Sequence, residues 1–213
     1  MSRHDDTLDR LLHYFAQQPV RKSSIPVSDN SLPTPASVLI PIIRPWKSQG
    51  SQVIFTLRTD TLSSHAGQVS LPGGTCDPGD TNPVHTALRE SHEEIGLDPG
   101  EVEIIGQLAA VTLPSGFSVT PVVGLLEPDV QLHPSPDEVA AIFHAPGDLV
   151  LTPSHYRHFT MHYRNQPRQV LELHYGDYRI WGATASILHG LGTELICTES
   201  EVGKDTRHNA HPD

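Results

Sequence analysis

The spacing of apolar residues divides the chain into elements before any chemistry is considered. Between Asp6 and Gln17 the residues Leu8, Leu11, Leu12 and Phe15 recur at i, i+3, i+4 and i+7, which predicts one apolar face of a helix. Residues 18–36, QPVRKSSIPVSDNSLPTPA, are rich in Pro and Ser and read as a linker or extended arm. From residue 37 the pattern changes to strand-like runs: SVLIPII, QVIFTLR and a segment around GQVSL. Polar and apolar residues then follow a helical period near 83–95. VEIIGQLAAV, FSVTPVVGLL and EVAAIFHA again read as strands. Residues 158–180 alternate polar with bulky side chains, which predicts a hairpin, and 182–196 predicts a closing helix. This order gives an N-terminal helix and linker over 1–35, a domain over 36–197 and a disordered tail over 198–213. Strands and helices do not alternate regularly, so a doubly wound sheet is disfavoured and a mixed sheet is expected.

Composition narrows the class. The chain has 213 residues, 37% of them hydrophobic, enough for one domain with a sizeable core. No apolar run approaches the about 20 residues of a membrane span, and MSRHDDTLDR lacks the apolar stretch of a signal peptide. The formal net charge of −11 disfavours a nucleic-acid polymer as partner. The two cysteines, Cys76 and Cys197, do not form a disulfide framework, so a reducing cytoplasm is the default expectation.

The predicted helix at 83–95 concentrates the candidate chemistry. Thr81 or Asn82 can cap it, Pro83 suits its first turn and Gly96 its C-terminal cap. Glu90, Glu93 and Glu94 fall at i, i+3 and i+4, so three carboxylates share one face. Like charges so placed repel one another, and a hard divalent cation such as Mg2+ or Mn2+ reverses the sign of that interaction. Gly73 and Gly74 ahead of the helix permit a sharp turn that brings a backbone carbonyl to the same place. Taken alone, RExxEE also fits a solvated acidic face with an Arg89–Glu93 surface pair.

The stretch from Gly74 to Leu97 resembles the signature of the Nudix hydrolase family, GX5EX7REUXEEXGU, where U is a bulky apolar residue. Gly74, Arg89, Glu90, Glu93, Glu94, Gly96 and Leu97 match it. Asp80 stands where the signature has Glu, eight residues rather than seven separate Asp80 from Arg89, and Ser91 occupies an apolar position. Upstream, IFTLRTDTLSSHAGQVSLPGG (54–74) resembles the motif of the coenzyme A pyrophosphatase branch: LLTXR, then Ser or Ala, then X3RX3GX3FPGG. Thr56, Arg58, Gly67, Pro72, Gly73 and Gly74 agree with it. Thr59, Ser63 and Leu71 depart from it, and Ser63 removes an arginine that could hold a substrate phosphate.

The resemblance spans about residues 36–190. It implies an α/β/α sandwich around a central mixed β-sheet with a catalytic loop-helix-loop. It also implies metal-dependent hydrolysis of a nucleoside diphosphate linked to another group. For this branch the substrate is coenzyme A or a derivative, cleaved to 4′-phosphopantetheine and adenosine 3′,5′-bisphosphate. ADP-ribose, a dinucleotide or a nucleoside triphosphate is the alternative, and a non-catalytic binding module is the reading outside the enzyme class. The expected metal set is Gly74 (through its carbonyl), Glu90, Glu93 and Glu94, with Mg2+ or Mn2+. Arg89 is expected to orient a helix glutamate or the glycine loop. Glu138, in SPDEVAAIF, is the candidate distant base or extra ligand, with Asp137 second; both also read as turn acids. Asp77 and Asp80 are candidates for loop support or a second metal. Arg58, His65 and Gly73 are the candidate substrate contacts, with a strand-end arginine and a structural histidine as the alternatives. His155, His158 and His162 lack an accompanying cysteine, and a zinc site there is disfavoured. The expected partner is a small nucleotide-type molecule, with no membrane contact, and a homodimer is compatible with the sequence.

Overall fold

The N-terminal helix forms as α1, Asp6–Gln17, with most of the expected face inward: Leu11 is buried and Leu8 and Phe15 pack against the core, while Leu12 is exposed and Thr7 and Tyr14 are buried. Tyr14 widens that face: its ring enters the core and its hydroxyl donates to Glu194, 180 residues away. The computed structural model describes residues 6–18, 32–60, 67–163 and 165–205, with side chains as far as Thr198 in the last stretch.

Among the described residues the strands are β1 (Thr34–Ile43), β2 (Gln52–Arg58), β3 (Val69–Ser70) and β4 (Gly73–Thr75). After the helix α2 (Pro83–Ile95) come β5 (Glu103–Gln107), β6 (Val111–Thr112), β7 (Phe117–Leu126) and β8 (Val139–Pro146). These eight strands form one sheet with the order β3-β2-β1-β7-β5; β4 pairs with β1, β6 with β7 and β8 with β2. β1 and β7 run parallel along their full length, Thr34 opposite Phe117 to Ile43 opposite Leu126, and the other pairs are antiparallel. The sheet is therefore mixed, as expected.

Strand alternation builds two apolar layers. Leu39, Ile43, Ile54, Val122 and Leu126 face Ala87, Ile95 and Leu97 at α2. Ile40, Ile42, Val53, Phe55, Val123 and Leu125 face the opposite way, toward Leu11 of α1. The same layer takes Ile187, Leu188, Leu191 and Leu195 from the last helix, so the fold is an α/β/α sandwich. A short helix α3 (Gly147–Val150) leads to β9 (Arg157–Tyr163), β10 (Gln166–Tyr175) and β11 (Tyr178–Trp181). The expected hairpin thus gains a third strand. Stacking of Phe143 on Phe55 (5.3 Å) and on Tyr178 (3.6 Å) fastens β11 to the main sheet. The closing helix α4, Gly182–Asp205, is longer than the 182–196 predicted and runs into the expected tail. None of the helices among the described residues is long and apolar enough to cross a membrane.

Candidate active site

Local sequence fixes the position of α2. Asn82 caps it in an extended conformation, its side-chain oxygen accepting from the His85 amide at 3.0 Å, and Pro83 opens the first turn. Gly96, with φ 66°, ends it in the left-handed region. The helix start is tied to the loop before it through a buried carboxylate. Asp80, 2% exposed, accepts from Arg89 Nε at 3.1 Å and Nη2 at 3.0 Å, from the Thr86 hydroxyl at 2.9 Å and from the Asp77 amide at 2.9 Å. Burial pushes the Asp80 carboxyl up. The hydrogen bonds from Arg89, the Asp77 amide and Thr86 outweigh it and hold the pKa at about 2. Of the two expectations for Asp80, loop support is what its contacts show.

Arg89 is the hub. Besides Asp80 it meets the Thr75 carbonyl at 3.0 Å, Glu90 at 2.9 Å and Glu93 at 3.1 Å. The contacts expected of it, to a helix glutamate and to the segment of the glycine turn, are both present, and so is the Arg89–Glu93 pair. Glu93 is half exposed, whereas Glu90 packs against the turn itself. A Cβ on Gly74 would lie 2.5 Å from the Glu90 carboxyl carbon, so a side chain there would push that carboxylate aside. Gly73 is equally constrained: a Cβ there would strike the Ser37 carbonyl and the Val38 backbone, because β4 lies against β1.

Glu94 is buried, with its side chain 3% exposed. The Gly73 amide donates to one oxygen at 3.2 Å and Arg58 Nη1, from the end of β2, to the other at 3.4 Å. Gly73, expected at the substrate, thus gives its amide to Glu94. Burial pushes the Glu94 pKa up to about 7. The Gly73 amide and Arg58 oppose that rise, and the charges of Glu138 and Glu90 add to it. Glu90 is also raised, first by burial, against Arg89, and further by Glu93 and Glu138.

Glu138 lies 44 positions beyond Glu94 in sequence and reaches it through backbone ties. The Ile95 and Glu94 carbonyls accept from the His133 and Ser135 amides, and the Thr59 amide donates to the Glu138 carbonyl at 3.0 Å. Loop 133–138 is thereby fastened to both the end of α2 and the end of β2. The charges of Glu93 and Glu138 consequently act on Glu90, and those of Glu138 and Glu90 on Glu94. Among the described residues no three His, Cys, Asp or Glu side chains already stand as a closed metal cage. The donor set is nonetheless all hard oxygen, repulsion within it is relieved by a cation, and Gly74 is bare where a side chain would push Glu90 away. These features fit Mg2+ or Mn2+. His65, Ser63 and Arg164 lie outside the described residues.

The NUDIX domain family matches residues 33–163. The chain belongs to the Nudix family. It is 42% identical over 169 residues to a protein described as the uncharacterized Nudix hydrolase NudL of Photorhabdus laumondii, covering 79% of this chain and 88% of that one. It is 37% identical over 195 residues to the NudL so described from Enterobacter sp. strain 638, covering 92% and 98%. A crystal structure of a Nudix hydrolase from M. smegmatis, RenU, aligns with a TM-score of 0.47 at 24% identity, over 55% of this chain and 73% of that one. The protein is therefore a Nudix hydrolase, of a family that cleaves pyrophosphate bonds in small nucleotide-type molecules and works with divalent cations such as Mg2+ or Mn2+.

Proposed function

We propose that this Nudix hydrolase cleaves the pyrophosphate bridge of coenzyme A or a derivative, giving 4′-phosphopantetheine and adenosine 3′,5′-bisphosphate. The observation that supports it best is the meeting of Arg58 with Glu94. It joins the stretch that resembles the coenzyme A branch, at the end of β2, to the stretch that resembles the family signature, in α2.

In this reading Glu90, Glu93, Glu94 and the Gly74 carbonyl hold the divalent cation. When bound, the cation supplies charge neutralisation at the pyrophosphate bridge and activates water for attack. Arg89 is a positioning residue: its contacts to Glu90, Glu93 and the Thr75 carbonyl keep helix and turn in register. Glu138 accepts the proton as the water oxygen bonds to phosphorus; the bridging P–O bond breaks and the leaving phosphate carries away the electron pair. Arg58 meets a substrate phosphate. Its side chain is a quarter exposed, and Nη1 is the nitrogen that meets Glu94. His65 is a further substrate contact in this reading. Cys76 has no part in the chemistry: burial pushes its thiol pKa up, and its contact is the Thr86 hydroxyl at 3.3 Å. Cys76 and Cys197 are free thiols, which suits a reducing cytoplasm.

Incubation with coenzyme A, ADP-ribose, NADH and deoxynucleoside triphosphates, each with Mg2+ or Mn2+, tests the substrate by chromatography of the products. Coenzyme A is expected to be cleaved with the highest kcat/KM. Preferred cleavage of ADP-ribose or a triphosphate would replace it with the alternative substrate class.

A further inference from the structure

Away from the helix acids, one buried carboxylate organises two arginines. Glu172 on β10, 6% exposed, accepts from Arg157 Nε of β9 at 2.8 Å and from Arg179 Nε of β11 at 2.7 Å, one on each oxygen. His174 Nε2 lies 3.5 Å from the second oxygen. Each arginine spends its Nε on Glu172, and among the described residues its terminal amines have no hydrogen-bond partner. Two guanidinium groups are thus held side by side with their outer edges turned to solvent, on a chain whose net charge is −11. A solvated surface would separate such like charges. Donor edges fixed in a plane match a phosphate.

Aromatic rings lie beside this fork. Arg179 stacks over Phe159 at 4.3 Å and over Trp181 at 5.4 Å, and Phe159 meets Trp181 edge-on at 6.0 Å. Arg179 and Trp181 also line a cavity of about 500 Å3, together with Leu57, Gly67, Val69 and Asp177. That volume is in the range of small-molecule sites. The wall formed by Leu57 and Gly67 belongs to the hairpin that carries Arg58: the Gly67 amide donates to the Arg58 carbonyl at 3.2 Å. Cavity and candidate reaction centre therefore meet at the end of one strand, the cavity on the face of Leu57 and Val69 and the reaction centre on the face of Arg58 and Glu94.

We propose that the cavity receives the nucleoside end of the substrate, its planar base against Trp181 and its 3′-phosphate on the paired amines of Arg157 and Arg179. Asp177 offers an acceptor for a ribose hydroxyl or an exocyclic amine. This rests on the coenzyme A reading above, which supplies a ligand with a base and a phosphate outside the reacting bridge. It places the nucleotide specificity of the enzyme on the three-stranded sheet, with the missing arginine at Ser63 replaced by a fork from another part of the chain.

The test uses the Trp46→Phe protein, in which Trp181 is the remaining tryptophan of the two; Trp46 is 58% exposed and lies outside this cavity. Titration with adenosine 3′,5′-bisphosphate is expected to quench Trp181 saturably. Affinity should fall at least about tenfold in Arg179→Met and Arg157→Met, with partial recovery in Arg179→Lys, the loss expected for a charge-assisted hydrogen bond. Adenosine 5′-monophosphate should bind at least about tenfold more weakly. Far-UV circular dichroism and thermal unfolding confirm that each variant is folded. In turnover, the preference for coenzyme A over dephospho-coenzyme A, as a ratio of kcat/KM, should collapse to within about twofold in Arg179→Met. Cleavage of coenzyme A with no quench, or equal binding of the two adenosine phosphates, would overturn the subsite and leave the proposed reaction standing. Arginine-dependent quenching without coenzyme A cleavage would uphold the subsite and overturn the proposed reaction.

Discussion

Arg89 grips Asp80 along one edge of its guanidinium: Nε donates to Oδ1 at 3.1 Å and Nη2 to Oδ2 at 3.0 Å. The pairing accounts for a departure from the family signature. Asp80 has a shorter side chain than the glutamate of the signature and stands one residue further from Arg89, yet the loop after Gly74 delivers it to the arginine. The Asp77 amide closes that loop on the same carboxylate.

Because the folded-state pKa of Asp80 lies below its unfolded value, its contribution to stability is complete above about pH 4. It is lost as the pH falls through about 2. Asp80→Asn should therefore lower unfolding free energy by about 2 kcal/mol at pH 7, and the gap to wild type should shrink between about pH 4 and pH 2. Urea unfolding across that range measures it; a gap independent of pH would show that the Asp80 charge is not what holds the loop.

Glu94 has the opposite sign. Its folded pKa, about 7, lies above the unfolded value, so ionising it opposes folding. The cost is absent below about pH 4.5, grows as the pH rises and levels off above about pH 7. In metal-free protein Glu94→Gln should be more stable than wild type at pH 8 by about 1–3 kcal/mol, and equal to it near pH 4. Thermal or denaturant unfolding of both proteins in chelator is the measurement. A less stable variant at pH 8 would mean that the contacts to Arg58 and Gly73 outweigh burial and repulsion.

Gly74→Ala is expected to leave the fold intact, since its backbone is not in the left-handed region, while displacing Glu90 from the turn. Turnover should fall by roughly two orders of magnitude, the scale lost with one charge-stabilising group. Retention of wild-type kcat in a folded Gly74→Ala protein would remove Glu90 from the proposed metal set.

Cys76→Ser should keep kcat/KM within a few-fold, because a raised thiol pKa leaves little thiolate at neutral pH. Loss of turnover with unchanged metal affinity would instead point to a covalent step through sulfur.

What could be read from sequence was local. Asn82, Pro83 and Gly96 each act within one turn of α2, so its ends were evident, and i, i+3, i+4 spacing put the three glutamates on one face. β7 was legible because its apolar run, Phe117–Leu126, is bounded by a glycine turn. What escaped depended on distant partners. Leu12 fits an apolar face as well as Tyr14 does, and Glu194 decides between them. β11 has four residues, too few to carry a period, and is held by stacking on Phe143. Glu172, Arg157 and Arg179 are separated by 15 and 7 positions, and strand register alone brings them together. The alternation of bulky and polar residues in β9 and β10 signalled the strands without showing which charges would meet across them.

Pyrophosphate cleavage is expected to depend on a cation held by the carboxylates of α2. Metal-stripped wild type and Glu94→Gln, each supplied with coenzyme A in chelator and then titrated with Mg2+ or Mn2+, test it in one experiment. No adenosine 3′,5′-bisphosphate is expected from either protein before metal is added. Full recovery should follow in wild type, and kcat should stay lower by roughly two orders of magnitude or more in Glu94→Gln. Turnover by wild type in excess chelator, or wild-type kcat in Glu94→Gln, would contradict it.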